Sequence, residues 1–326
     1  MIASVAFRNF KALRDTRLAL GPFNLIVGAN GSGKTSLIEV LLRLRALAGL
    51  TPADAAGPGG TEVIFGFSPP YDGIEARLGC VSDYVCDLLR LNIRPDDPGW
   101  RELKARLARI RGFLFDHYAM AAPALRSDNA ALSSNAANLA AVLARWRDER
   151  PGALAGLQAE FCRLLPEFAS IEFRPADGGR VELAAMLGDG GAVTAANLSQ
   201  GSLYLLALLA LAFDPEPPPV LCLEELDRGL HPRMLREARD ALYRLSHPQA
   251  FGLPRAPVQV VATTHSPYLL DLFKDHPEEI VIAQKNGPAA HFERLADRAD
   301  LRELLAEGPL GDLWFSGILG GVPEEK

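Results

Sequence analysis

Apolar and polar positions change rhythm several times along the chain. Residues 2–7 and 23–27 (FNLIV) read as short strands, the second a buried run that stops at Gly28. From Lys34 to Ala48 the residues Leu37, Ile38, Leu41, Leu42 and Leu44 recur at helical spacing, which predicts an amphipathic helix. TPADAAGPGG (51–60) is a Pro/Gly-rich breaker, and 61–78 predicts two strands around a turn.

At about residue 80 the pattern shifts. From Val81 to Leu165, Ala, Leu and Arg fall at helical spacing, interrupted by RPDDPG (94–99) and ERPG (149–152), so three or four helices are expected. Leu103, Leu107, Ile110 and Leu114 form one apolar stripe. SIEFRP and RVELAAML, joined by a Gly-Gly turn, predict a hairpin over 170–187. A helix at 202–213, a buried strand VLCLEE (220–225), a helix Arg233–Leu245, a second buried strand VQVVATT (258–264) and a short helix Tyr268–Phe273 follow, and strands at 278–284 and 289–295 finish the pattern. Buried strands alternating with helices predict an α/β fold with a mixed or parallel sheet covered on both faces.

The chain has 326 residues, 48% hydrophobic and 23% charged, which are globular proportions and leave room for about two domains. A net charge of −6 excludes a globally basic nucleic-acid binder, although a local basic groove is compatible with it. Cys80, Cys86, Cys162 and Cys222 form no CxxC pair; neither a disulfide framework nor a zinc site is expected, and buried thiols fit a reducing cytosol. The N-terminus has no apolar signal core, and the longest apolar run, Leu203–Phe213, falls short of the about 20 residues that span a bilayer. The expectation is a soluble, cytoplasmic protein without a membrane partner.

Gly28-Ala29-Asn30-Gly31-Ser32-Gly33-Lys34-Thr35, followed by Ser36, is a complete GxxxxGK[ST] loop between a predicted buried strand and a helix. This P-loop NTPase motif predicts ATP binding by Asn30, Gly31, Ser32, Gly33, Lys34, Thr35 and Ser36. Its glycines let backbone N–H groups converge on phosphate oxygens, the helix N-terminus adds partial positive charge, Lys34 spans the β- and γ-phosphates, and Thr35 ligates Mg²⁺.

The strand Val220–Leu223 delivers Glu224 and Glu225 at its C-terminal edge, where ligands gather in open α/β sheets. Successive strand residues face opposite ways, so the two carboxylates are expected to do different work: Glu224 in the Mg²⁺ shell through water, Glu225 polarising the attacking water.

Leu198-Ser199-Gln200-Gly201-Ser202 precedes an apolar helix and forms a second helix-terminal anion site. It resembles the LSGGQ signature of ABC ATPases, with Gln in the third place and Ser in the fifth. The resemblance implies that Leu198, Ser199, Gln200 and Gly201 of one protomer close on the γ-phosphate held by the other, in an ATP-dependent homodimer. His265, at the end of VQVVATT and before Ser266-Pro267, resembles the switch histidine of that superfamily, which implies a catalytic role beside Glu225. Glu225-Leu226-Asp227-Arg228-Gly229-Leu230-His231-Pro232 is similar to the EEPExGLHP segment of SMC/RecF-like ATPases, with Leu226 and Asp227 departing from Pro-Glu, and His231 where others carry an aspartate.

The start, Arg8-Asn9-Phe10-Lys11, is similar to SMC, RecF and OLD-type ATPase heads. Residues 138–143, the hairpin at 170–187 and the ending at 308–321 look like small bacterial single-chain ATPases of the AAA_21 group. The resemblance covers nearly the whole chain. It implies an ABC-ATPase head formed by 1–79 and 166–326, with a small helical lobe at 80–165 in the place of a coiled coil and no TOPRIM-like nuclease region. It also implies ATP hydrolysis coupled to DNA or RNA, or to a nuclease or toxin effector encoded nearby, in DNA repair or antiphage defence.

Arg101, Lys104, Arg106, Arg109 and Arg111 form one basic run and Arg145, Arg147 and Arg150 another; each is a candidate phosphate-backbone contact or the solvated face of a helix. Two other functions compete. A transporter's nucleotide-binding subunit is disfavoured by the RNFK start and the GLHP and THSP segments, and an ATP-sensing switch with slow turnover by Glu225. The absence of an NKxD guanine motif speaks against a GTPase.

Overall fold

The computed structural model describes residues 1–52 and 60–320, with Asn286 described by its backbone alone. The breaker at 51–60 lies largely outside the described residues. The chain forms two compact units: Met1–Gly112 with Pro218–Leu226 and Ala256–Lys326, and Phe113–Pro217 with Asp227–Arg255.

The first unit is built on an eleven-stranded mixed sheet. One side is antiparallel: Val85–Leu91, Glu75–Ser82, Glu62–Phe67, Ile2–Phe10 and Leu13–Ala19 lie in that order. The other side carries the parallel strands Ile280–Asn286, Phe23–Gly28, Gln259–Thr264 and Val220–Leu223 as neighbours. Ala289–Arg294 joins the two halves, pairing antiparallel with Ile280–Asn286 and parallel with Leu13–Ala19. Phe23–Gly28 and Gln259–Thr264 are buried at every position, as strands in the middle of a covered sheet should be, the polar Asn24, Gln259, Thr263 and Thr264 included. Helix Lys34–Ala48 buries Leu37, Ile38, Leu41 and Leu44 in a core shared with Val5, Phe7, Val63, Phe65 and Trp100.

The second unit contains helices Leu139–Glu149, Pro151–Leu164, Gln200–Ala212 and Leu235–Ser246. Its small sheet is centred on Arg180–Leu187, paired antiparallel with Phe168–Ala176, Ala192–Thr194 and Ala124–Leu125. Gln200–Ala212 is apolar around its whole circumference, and from Ser202 onward every residue is buried.

Several expectations are corrected. Val81–Leu91 is not the start of a helical stretch: Glu75–Ser82 and Val85–Leu91 form a hairpin, with Ala76, Leu78, Cys86 and Leu89 buried and Arg77 exposed between Ala76 and Leu78. The turn Asp83-Tyr84 closes it, and two-residue reversals select strands over helix. Helices within 80–165 begin only at Pro98, where Asp97 caps the first turn by accepting from the N–H groups of Gly99 and Trp100. The apolar stripe ends before Leu114, which is exposed. Cys80 and Cys86 are not free thiols: they face each other across the hairpin and are joined as a disulfide, while Cys162 and Cys222 are free. Leu13–Ala19, Leu301–Glu307 and Leu310–Phe315 are elements that the sequence pattern did not reveal. No helix of the described residues is long and apolar enough to cross a membrane.

Candidate functional site

The site lies at the C-terminal edge of the parallel strands in the first unit. Phe23–Gly28 runs parallel to Gln259–Thr264, with Val27 opposite Thr264, and Gly28 lies opposite Ala283 of the strand on its other side. The edge therefore presents the loop 29–33, the pair Glu224–Glu225 and His265 together.

Gly28 has no room for a side chain, because a Cβ there would stand 2.2 Å from the carbonyl oxygen of Ala283. Gly31 (φ 76°) and Gly33 (φ 96°) are left-handed, which glycine adopts without a steric penalty, and this coils the loop into the first turn of helix Lys34–Ala48. The Lys34 ammonium donates to the carbonyl oxygens of Gly28 and Ala29, each at 2.8 Å, and the residue is 8% exposed. Burial pushes the Lys34 pKa down to about 8, against the opposing pull of the Glu225 and Glu224 carboxylates. The Thr35 hydroxyl donates to Glu224 Oε2 at 3.0 Å, so the two expected Mg²⁺-shell residues meet.

Asn30, Lys34, Thr35, Glu224, Glu225 and His265 line one cavity of about 300 Å³, as do Gly31, Gly33 and Ser36. Ser32 is fully buried beneath the loop, and its Oγ is a buried polar atom with no hydrogen-bond partner.

The expectation that Glu224 and Glu225 face opposite ways is corrected. The strand ends at Leu223, and Glu225 is left-handed (φ 53°), so the alternation of an extended chain stops before the pair and both carboxylates line the cavity. That turn is held by Thr263: the Glu225 N–H donates to Thr263 Oγ1 at 3.0 Å, and the Leu226 N–H donates to the Thr263 carbonyl at 2.9 Å.

Thr263 and Lys11 are cavity residues to which the sequence assigned no role. Lys11, left-handed at φ 52° in the turn between the first two strands, is ion-paired with Glu39 of the loop-bearing helix. The RNFK stretch marked that turn, but nothing in its spacing placed it beside the loop. No short-range signal exists for Thr263, which reads as one more β-branched residue of a buried strand.

Residues 198–201, which resemble the ABC signature, belong to the second unit. Ser199 is the N-cap of helix Gln200–Ala212: its Oγ accepts from the Ser202 N–H at 3.1 Å and lies 2.7 Å from Ser202 Oγ. Ser199 and Gln200 are exposed, whereas Leu198 is buried as the anchor. Gly229, left-handed at φ 69°, lets the Gln200 side chain pass where a Cβ would sit 2.7 Å from it.

A wholly buried strand, a phosphate loop and a carboxylate pair at one sheet edge define a P-loop NTPase of the ABC-ATPase head type, and comparison with known proteins agrees. Residues 90–271 match the AAA_21 family, described as "AAA domain, putative AbiEii toxin, Type IV TA system", and residues 1–49 match the family described as "AAA ATPase domain". The chain belongs to the first of these families, and its fold is of the SMC/RecF-like ABC-ATPase type.

The chain is 31% identical over 111 residues to the DNA replication and repair protein RecF of Edwardsiella ictaluri (strain 93-146), a match that covers 34% of this chain and about a quarter (25%) of that protein. The fold is similar to that of an SMC head bound to the C-terminal winged-helix domain of ScpA (TM-score 0.63, 17% identity, 90% of this chain and 96% of that one). It is also similar to an SMC head with a coiled coil and joint from Pyrococcus yayanosii (TM-score 0.55, 12% identity, 94% and 99%).

Proposed function

We propose that the protein binds ATP with Mg²⁺, closes as a homodimer around two ATP molecules and hydrolyses them. The observation that carries this reading is the convergence of Lys34, Thr35, Glu224, Glu225 and His265 on one cavity beneath a complete phosphate loop.

The residues fit the nucleotide. Lys34 is a buried cation whose hydrogen bonds go to the carbonyls of Gly28 and Ala29, and β- and γ-phosphate oxygens would replace these with charged acceptors. Thr35, directly, and Glu224, through water, would hold Mg²⁺, which would supply positive charge against the phosphates. Glu225 accepts the proton of the attacking water as its oxygen bonds to the γ-phosphorus and the bond to the β-phosphate oxygen breaks, releasing ADP and phosphate. His265, at the strand end, hydrogen-bonds the γ-phosphate. Ser199 and the Gly201 N–H of the second protomer complete the site, their helix N-terminus facing the γ-phosphate.

The cycle drives DNA or RNA engagement, or a partner effector encoded nearby, in DNA repair or antiphage defence. The name of the RecF relative and the toxin-system description of the family support this part. Residues 80–165 are read as the insertion that replaces a coiled coil, and the cytoplasm as the compartment.

The test is Glu225→Gln. It should keep ATP bound, since the amide still hydrogen-bonds water, while turnover falls by about 100-fold or more because no proton is accepted. Wild-type turnover in that variant would remove Glu225 from the reaction.

A further inference from the structure

We propose that Thr263 is a positioning residue that sets the Glu225 carboxylate against the attacking water. The inference rests on the reading of Glu225 as the proton acceptor.

Glu225 occupies a left-handed backbone conformation (φ 53°), which few residues other than glycine adopt and which persists where surrounding structure enforces it. Thr263 takes two successive amides of this turn: Oγ1 accepts from Glu225 N–H at 3.0 Å, and its carbonyl accepts from Leu226 N–H at 2.9 Å. Thr263 is itself buried inside the sheet. It is 3% exposed, and it pairs with Ile26 of the strand that leads into the phosphate loop. The turn carrying Glu225 is thereby referenced to the strand that holds the phosphates.

The neighbouring residue does the same for the other catalytic candidate. Thr264 is fully buried, and its Oγ1 accepts from the Ser266 N–H at 2.9 Å, which fixes the chain just beyond His265. Adjacent strand residues present their side chains to opposite faces, so one threonine braces the glutamate turn and the next braces the histidine turn. Valine would fill these buried strand positions with nearly the same shape. A hydroxyl here is costly unless it is used, and its use is to receive these amides.

Small displacements of a reacting group, near 1 Å, cost about 100-fold in rate. Thr263→Val should therefore lower kcat by about 10- to 100-fold while the affinity for ATP, read by calorimetry, stays within about twofold of wild type. Thr263→Ser keeps the acceptor and should restore most of the rate. In a Glu225→Gln background, Thr263→Val should add no further loss, because the group being positioned is already disabled.

If Thr263→Val does not fold, Thr263→Ala against Thr263→Ser gives the same contrast, since both lack the methyl and only serine keeps the hydroxyl. Equal turnover in the alanine and serine variants, unchanged turnover in Thr263→Val, or a full additional loss in the Glu225→Gln background would overturn the proposal. A wild-type protein that binds ATP without turning it over would instead overturn the hydrolytic reading.

Discussion

The Thr35 hydroxyl donates a hydrogen bond to the carboxylate of Glu224, 189 positions further along the chain, at 3.0 Å. One group comes from the first turn of a helix and the other from the end of a strand. Their meeting makes a hard-oxygen corner at the mouth of the phosphate loop, suited to a small divalent cation. Removing Thr35 should therefore cost affinity only when the ion is present. Thr35→Ala should bind ATP about tenfold more weakly than wild type in Mg²⁺, a loss of ~1.4 kcal/mol, and about equally in chelator. The measurement is calorimetric titration under both conditions; an equal Mg²⁺ dependence in the two proteins would contradict the assignment.

The lowered pKa of Lys34 predicts a pH dependence with a definite sign. In the free protein burial brings it from 10.5 to about 8. Only the ammonium form neutralises phosphate charge, so ATP affinity should be level below about pH 8 and fall above it, approaching tenfold per pH unit. Lys34→Arg should lose this dependence, because guanidinium stays charged. The same shift has the opposite effect on stability. Between about pH 8 and pH 10.5 the unfolded chain holds a proton that the folded chain has released, so this residue's contribution to the stability of the nucleotide-free protein improves as pH rises through that window. Binding isotherms and denaturant midpoints across pH 7–10 measure both directions.

Nucleic-acid coupling, as part of the proposed function, is tested at helix Pro98–Leu107. Its apolar face buries Trp100, Leu103 and Leu107. Arg106 lies 3.7 Å from Glu102 and over the Tyr71 ring, which gives it structural work. Arg101 and Arg109 are exposed. Replacing both by Ala should weaken duplex DNA binding and reduce the slope of log affinity against log salt by about 2, leaving DNA-independent ATPase activity as it was. An unchanged slope would place any DNA contact elsewhere.

The phosphate loop was legible because its function is contained in eight consecutive residues and the flanking periodicities. Most strands of the parallel half were legible for a related reason: short, uncharged runs rich in aliphatic and β-branched residues, such as FNLIV and VQVVATT, read as buried strands. The two strands expected over 61–78 are Glu62–Phe67 and the start of Glu75–Ser82, but the strand Val85–Leu91 was not legible. Its leucines and arginine suit a helix, and only the reversal at Asp83-Tyr84 and pairing with Glu75–Ser82 decide for a strand. The Cys80–Cys86 disulfide depends on that same register. Strand alternation was carried one residue too far at Glu224–Glu225, because the left-handed turn at Glu225 is set by Thr263, distant in sequence. In the free chain Ser199 caps helix Gln200–Ala212. Its role toward a second protomer rests on the resemblance to the ABC signature.

The central claim is that each catalytic site is shared between two chains, and a mixing experiment tests it most directly. Lys34→Ala removes the phosphate cation, and Ser199→Arg places a bulky cation where the signature meets the γ-phosphate, so each variant alone should be inactive. A mixture should recover activity, with one working site per heterodimer, formed by the intact loop of the Ser199→Arg chain and the intact signature of the Lys34→Ala chain. Light scattering should show a dimer forming with ATP, most strongly in a Glu225→Gln background, because ligand bound only by the closed state stabilises it by mass action. Full activity in a monomer at saturating ATP, or no recovery on mixing two folded variants, would contradict the shared site.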